Sequence, residues 1–465
     1  MLRRLLMRRA YNAGRYEQAR HHARLLLGNS EEAELARSVI VRSYWNEQAY
    51  QDLIQAAFRW DDEISLAYFR LAKERLNSFA YGNSSSPVAQ DRLKHLLENQ
   101  PRPEKSFEWS PNDISANFHQ EGLRVWFRHP HGYVFWDMPT GFDLSATHPS
   151  LLSLAAETLL YPWESSMKAP FSSNRSMGSR ASLSFSAGTD STAAALVMPG
   201  DTLLGYHRRS FKSMLDHRNA QRLIDYLTNT GEREVFQIES NHELIRTHYG
   251  KPVGFSSDFA CAVHLILLAD HFDLGAIGFG MPVDNTYLWK GRKFRRFEAT
   301  DYYIYWTKRF ADAGLDLLFP ISSISEAGAL MIVKKSPWLE YLNSCMRGDG
   351  IQGCGRCWKC FHKNGPLGRP IDIKAHEIQT FLNKRPMPTA THALWALQTM
   401  GHEDEVSDLA HLFELNYDWW TKIFPPGFAL LPDRWRPGIE LRIRSMLDVM
   451  PEPYDLLSVN HFFED

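Results

Sequence analysis

Long apolar runs are missing from this 465-residue chain, and no uninterrupted stretch approaches the roughly 18 residues a membrane-spanning helix needs, so a membrane protein is not expected. The start, Met1-Leu-Arg-Arg-Leu-Leu-Met-Arg-Arg9, lacks the apolar core of a secretion signal, and the expectation is a cytoplasmic protein. An excess of positive charge is missing too. With 52 Lys and Arg against 54 Asp and Glu, the formal net charge is −2, which argues against a nonspecific grip on nucleic acid and leaves room for a local basic patch. Proline is absent from Leu2 to Ser78, and cysteine is scarce. Against these absences, 44% hydrophobic content is ample for folded cores.

The most informative stretch is Ser182-Leu-Ser-Phe-Ser-Ala-Gly-Thr-Asp190-Ser-Thr-Ala-Ala-Ala195. Leu183 and Phe185 alternate with serines as in a short buried strand, Ser186 to Ser191 is small and polar, and Thr192 to Met198 suits a helix. Strand, tight turn and helix in that order aim backbone N–H groups and the positive end of the helix dipole at one point, which makes an anion site. Gly188 permits close backbone approach, Ser186, Thr189, Ser191 and Thr192 offer hydroxyls, and Asp190 is placed to hold a magnesium ion bridging phosphates. No Gly-Lys-Ser/Thr follows, so this is not a Walker loop.

Of five cysteines, four lie in one short segment, as Cys345 followed by Cys354-Gly-Arg-Cys357-Trp-Lys-Cys360. Two overlapping Cys-x-x-Cys steps with a sulfur upstream can converge on one tetrahedral zinc, with Gly348, Gly350, Gly353 and Gly355 supplying turns. An iron–sulfur cluster is the rival reading, and the lack of any secretion signal argues against disulfides. Closed by four protein ligands, such a site is structural by default. His362 reads as a loop histidine, and Cys261, near the start of an apolar helix, reads as a core residue.

Ser186-Ala187-Gly188-Thr189-Asp190-Ser191 resembles the Ser-Gly-Gly-x-Asp-Ser signature of PP-loop ATP pyrophosphatases, which split ATP into AMP and pyrophosphate. Ala187 replaces the first glycine, which requires a negative φ there. With the cysteine spacing, the stretch from Ala181 to Lys363 resembles 7-cyano-7-deazaguanine synthase (QueC-like) proteins, which convert a deazaguanine carboxylate to a nitrile with ATP and ammonia. Ala276-Ile-Gly-Phe-Gly280 looks like that family's late strand and glycine turn, and Leu318-Phe-Pro-Ile321 with Ser325-Glu326-Ala327 looks like a segment that precedes its cysteines. By the same resemblance Gly205, Tyr206 and His207 flank the adenosine. Two places depart from the family, Ser256-Ser257-Asp258 and Asn285-Thr-Tyr-Leu-Trp-Lys-Gly291, and both lie where a substrate would be gripped.

Along the chain, residues 1–80 read as helical and loosely repeated, since Ala10 to Ala19 recurs at Ser43 to Asp52 with the period of tetratricopeptide-like hairpins. Such a unit suits a protein partner or the chain's own catalytic part. Residues 81–105 read as a linker zone, and 106–180 as a β-hairpin (Gly122–Arg128 with Tyr133–Asp137) and a helix leading into the core. His129 and His131 read as turn residues between the hairpin's strands. Residues 181–365 alternate strand and helix, with a helix expected over Phe259–Phe272, which predicts an α/β domain with a parallel, Rossmann-like sheet carrying the zinc segment. Residues 366–465 read as a helical extension rich in tryptophan. The basic run Lys290-Gly-Arg292-Lys-Phe-Arg-Arg296 and the nearby Asp284 are further candidates for phosphate, magnesium or substrate.

The expectation is an ATP-, Mg²⁺- and Zn²⁺-dependent enzyme that transfers AMP to a small-molecule substrate, a carboxylate or a sugar, for attack by a nitrogen nucleophile. Asp190 and Ser191 carry the chemistry in this reading. Sulfur transfer to a tRNA base or small molecule, amidination of a sugar, attachment of a deazaguanine to a partner protein, and a noncatalytic nucleotide-binding scaffold are alternatives. Sulfur transfer would depend on Cys261, the one cysteine outside the cluster.

Overall fold

Short apolar segments in the middle of the chain assemble one sheet of eight strands. The computed structural model describes residues 2–47, 49–81, 87–168, 175–211, 215, 217–345, 347 and 350–461, those at 74, 76–81 and 87–92 by backbone alone. Residues 82–86 of the expected linker zone, and Gly348, lie outside the described residues. β1 (Phe118–Glu121), β2 (Arg124–His129) and β3 (Gly132–Asp137) form an antiparallel meander. It joins the rest of the sheet where Trp136 pairs with Ser240, so the hairpin is an extension of the core sheet.

β4 (Arg180–Ser184), β5 (Leu203–Arg209), β6 (Val235–Ser240), β7 (Leu274–Phe279) and β10 (Asp316–Leu318) run parallel. The protein is therefore mixed α/β with an eight-stranded, largely parallel sheet in the order β1-β2-β3-β6-β5-β4-β7-β10. β4 lies at its turning point. The chain winds outward through β5 and β6, then returns to the other side of β4 with β7 and β10, so the strand order reverses between β4 and β7, whose carboxyl ends are where open parallel sheets take ligands. Asp316–Leu318 was too short to alternate legibly in sequence.

Period-two alternation gives the sheet two buried faces. Leu203, Ile277 and Leu317 enter one core, together with α7 (Pro149–Leu160), α11 (Val263–Leu267) and α12 (Asp301–Asp312). Leu204, Ala276 and Leu318 enter the other, with α8 (Thr189–Val197), α9 (Arg218–Thr230), α13 (Glu326–Lys334) and α16 (Arg436–Met446). The helix expected over Phe259–Phe272 is shorter than that, a 3₁₀ turn at Ala260–Ala262 followed by α11 alone. Residues 262–269 are all fully buried, so this run offered no helical period from which to read its ends. Short α10 (Ile245–His248) follows β6, and α14 (His376–Leu382) and α15 (Ala390–Met400) belong to the C-terminal region. The basic run folds as a separate hairpin of β8 (Leu288–Trp289) and β9 (Lys293–Phe294), with φ of +51° at Lys290 and +66° at Gly291 as a type I′ turn requires.

Without proline, the N-terminal stretch forms α1 (Leu2–Asn12), α2 (Tyr16–Arg24), α3 (Ala33–Asn46), α4 (Tyr50–Ala57) and α5 (Glu63–Tyr81), followed by α6 (Pro87–Glu98). α2 and α4 open at Tyr16 and Tyr50, within the two loosely repeated stretches. This helical block rests on the cysteine segment: Phe58 and Phe69 pack with the four sulfurs, Arg356 donates to the Trp60 carbonyl at 3.2 Å, and Lys73 pairs with Glu377. Among the described residues no helix is long and apolar enough to cross a membrane.

Candidate functional site

β4 ends at Ser184, and the chain turns through exposed Ser186, buried Ala187 and half-buried Gly188 into α8. Here backbone donors meet hydroxyls. Ser186 N donates to Ser191 Oγ at 3.2 Å, Gly188 N to Ser186 Oγ at 3.4 Å, and Thr189 N to Ser344 Oγ at 3.0 Å. Ser186 Oγ lies 3.0 Å from Ser191 Oγ, and Thr189 Oγ1 lies 2.7 Å from Ser344 Oγ. Three amides at the start of a helix thus face oxygen atoms in the places that anion oxygens take at such termini. Thr192 is fully buried behind them.

Two positions set the loop's shape. Gly280, directly after β7, stands so close to α8 that a Cβ there would lie 2.9 Å from Ser191 N and 3.0 Å from its Cα, so any side chain would push the helix start away. Ala187 corrects the sequence reading: its φ is +52°, not negative. The conformation costs an alanine roughly 1 kcal/mol, and the methyl is buried in the α8 core, which holds it there.

Asp190, in the first turn of α8, leads into a charged cluster that the sequence did not reveal. Lys363 Nζ lies 2.8 Å from Asp190 Oδ1 and 2.7 Å from Glu326 Oε2, and Glu326 N donates to Asp284 Oδ2 at 2.7 Å. Lys363 and Asp284 are buried, and Oδ1 of Asp284 has no hydrogen-bond partner in the protein. Burial pushes the carboxyls of Asp190 and Asp284 above their ordinary values, far above for Asp284, where Glu326 adds to the effect. Burial also opposes the charge on Glu326, but Lys363 outweighs it, with His392 and His362 adding, and holds that carboxyl well below the usual range. Lys363 is raised in turn, because Asp190 and Glu326 outweigh its burial. The result is an ammonium fixed between two carboxylates beside the loop, with the carboxyl of Asp284, raised by burial, behind them.

The other candidates are placed as follows. Gly205 accepts from Phe185 N at 2.9 Å, and a Cβ on it would meet His264 Nε2 at 2.7 Å. Tyr206 faces the α8 side and bonds His217 at 2.6 Å; His207 faces the opposite side, its ring 4.6 Å from that of His242. Burial holds the imidazoles of His207 and His242 neutral. Lys290 is exposed at its hairpin tip, 4.8 Å above the Trp289 ring, and Arg292 is buried, its carbonyl accepting from His461 at 2.7 Å. The hairpin is thus tied to the C-terminal segment. Ser256 and Ser257 both donate to the Thr158 carbonyl, and Asp258 accepts from Tyr302 at 2.8 Å. Burial raises the Cys261 thiol to about 12.

The four cysteines converge as their spacing predicts, all buried, with sulfurs 3.6 Å (Cys357 to Cys360), 3.8 Å (Cys354 to Cys360) and 3.9 Å (Cys345 to Cys357) apart. A tetrahedron of sulfurs about 2.3 Å from zinc has edges of about 3.8 Å. Cys345 Sγ accepts from the amides of Arg347 and Cys354, and Cys360 Sγ accepts from Asn364, donors that suit thiolates. This cluster can hold a zinc ion. Ser344, which caps Thr189, immediately precedes Cys345, so the metal segment directly buttresses the loop. His362 is not a loop histidine: it is fully buried in the π-helical turn Cys360–Asn364 that also carries Lys363.

Residues 305–454 match the model of a family of unknown function, DUF6395. No curated protein and no solved structure matches the chain. The matched stretch holds β10, Glu326, the four cysteines, Lys363 and His392, and begins after the Ser186–Ser191 loop and Asp284.

Proposed function

We propose that this chain is an ATP-dependent, AMP-forming enzyme of the PP-loop type, which adenylates a carboxylate for attack by a nitrogen nucleophile. One observation carries the reading: the amide and hydroxyl turn of Ser186–Ser191 lies where the strand order reverses, and Asp190 and Lys363 stand beside it. In this reading a carboxylate oxygen attacks the α-phosphorus of ATP, the bond to the pyrophosphate oxygen breaks, and the nitrogen nucleophile later displaces AMP. Amides and hydroxyls of the loop stabilise charge on the departing pyrophosphate, and the Lys363 ammonium adds to them. Asp190, with the unpartnered Oδ1 of Asp284, offers the oxygen donors that Mg²⁺ takes. Magnesium bound there would supply charge neutralisation. No protein nucleophile is required, which agrees with the protonated state of Cys261.

The acceptor is set where the chain departs from the deazaguanine synthases. Ser256, Ser257 and Asp258 are engaged with Thr158 and Tyr302, and residues 285–291 lead into the β8–β9 hairpin, so these segments would shape a different acceptor pocket. The test is product analysis with metal-replete protein, ATP, Mg²⁺, ammonia and a panel of carboxylic acids, beside Asp190→Asn. AMP and pyrophosphate should form with the wild type and fall about 100-fold in the variant. ADP and phosphate as products, or no ATP binding by calorimetry, would sink the proposal.

A further inference from the structure

Behind Lys363, three side chains from separate elements converge: Glu326 at the start of α13, His362 in the turn after Cys360, and His392 in α15. One donor atom from each lies within 4.8 Å of the others. Both histidines are 0% exposed. Neither ring nitrogen of His362, nor Nδ1 of His392, has a hydrogen-bond partner in the protein. His392 Nε2 lies 3.0 Å from the His362 carbonyl. Glu326 Oε2 is 3.9 Å from His362 Nδ1 and 3.8 Å from His392 Nε2, too far for hydrogen bonds.

Separations of that size are what two donors show when they share one ion, since ligand bonds of about 2.0–2.2 Å place neighbouring donors roughly 3 to 4 Å apart. An ion pair between Glu326 and Lys363 accounts for the carboxylate only. It leaves both ring nitrogens of His362 and Nδ1 of His392 unexplained, and a buried polar group without a partner is destabilising. Asp190 and Glu326 share the one ammonium of Lys363, which leaves an excess of negative charge that a cation would offset.

We infer that Glu326, His362 and His392 form a second metal site, distinct from the four cysteines, for a divalent first-row transition ion. Two imidazoles and one carboxylate suit zinc, iron(II), manganese, cobalt or nickel rather than magnesium or calcium. Lys363, already within reach of Asp190, would then pair with that carboxylate alone. The inference stands on the side chains and does not depend on what the Ser186–Ser191 loop binds.

The experiment loads cobalt(II) into the full-length, untagged, metal-stripped protein and counts equivalents by elemental analysis and absorption. Two equivalents per chain are expected, the four-cysteine one with intense thiolate charge-transfer bands and the other without them. His392→Gln should retain one equivalent with the thiolate bands unchanged, and Glu326→Gln should weaken the second site by about tenfold or more. A single equivalent in the wild type, or a second that survives both substitutions at full affinity, would overturn the assignment. Should either variant fail to fold, X-ray absorption on wild-type protein carrying both equivalents decides it: imidazole scattering is expected, and sulfur scattering alone refutes the site.

Discussion

Two clusters meet at the turn Cys360–Asn364, and they are built in opposite ways. The four sulfurs come from one short segment, whereas Asp190 and Glu326 come from distant parts of the chain and close around Lys363, a cation supplied by the fold, with Asp284 held on the Glu326 amide. The first cluster can hold an ion that would balance its thiolates, and the second satisfies much of its charge from within. Ser344 joins them, one residue from Cys345 and hydrogen-bonded to Thr189.

The comparison breaks most visibly if metal is withdrawn. Chelation, or Cys357→Ser, should destabilise the protein by several kcal/mol, because four buried sulfurs lose the charge that gathers them. ATP affinity should fall with it, since Ser344 loses its anchor. Thermal melts and calorimetry, with and without zinc returned, check both. A melt unchanged after complete metal removal would show the cysteine cluster to be self-supporting.

Next in size is Lys363→Met, which leaves two carboxylates facing each other without their cation and should cost about 3–5 kcal/mol at neutral pH. The pH dependence has a definite sign. Glu326 is held well below its ordinary 4.5, so its contribution is present above pH 4.5 and is lost as pH falls through the depressed folded value. Asp190 and Asp284 are raised, so they favour the fold when protonated and oppose it as pH rises through their folded values. The gap between variant and wild type should therefore be widest near pH 7 and shrink below pH 4.5. Denaturant melts at several pH values test it, and a gap independent of pH would mean that Lys363 acts through packing.

The same contrast explains what was legible in the sequence. Cysteine spacing is local, so four ligands could be read from Cys345 to Cys360, and the strand, turn and helix around Ser186 were readable for the same reason. Asp190 and Asp284 were singled out separately, yet nothing in sequence joins them to Lys363, Glu326 or His392, because only the return of the chain to β7 and β10 and the packing of α13 and α15 do so. His362 was misread because its neighbours in sequence are loop-like and its burial is tertiary. A lysine three residues beyond the last cysteine was the one available signal.

Ser344→Ala probes the joint itself. It removes the hydroxyl that accepts from the buried Thr189 amide, at a cost of about 1–2 kcal/mol, and should weaken ATP binding several-fold with metal content unchanged. Unchanged ATP affinity would uncouple the two clusters, and lost metal would make Ser344 part of the cysteine site.

Ala187→Gly should have the smallest effect, because its contributions oppose one another. Glycine relieves roughly 1 kcal/mol of left-handed backbone strain at φ +52°. It also forfeits a buried methyl worth about 0.8 kcal/mol and adds about 0.4–1 kcal/mol of unfolded-state freedom. The sum lies within about 1 kcal/mol of zero, slightly on the destabilising side, and AMP formation should be unchanged. A large gain in turnover would instead make Ala187 a brake on the loop, with the charged cluster competent but restrained. A loss of more than about 2 kcal/mol would mean that the buried methyl, rather than the hydrogen bonds to Ser191 and Ser344, holds the loop in place.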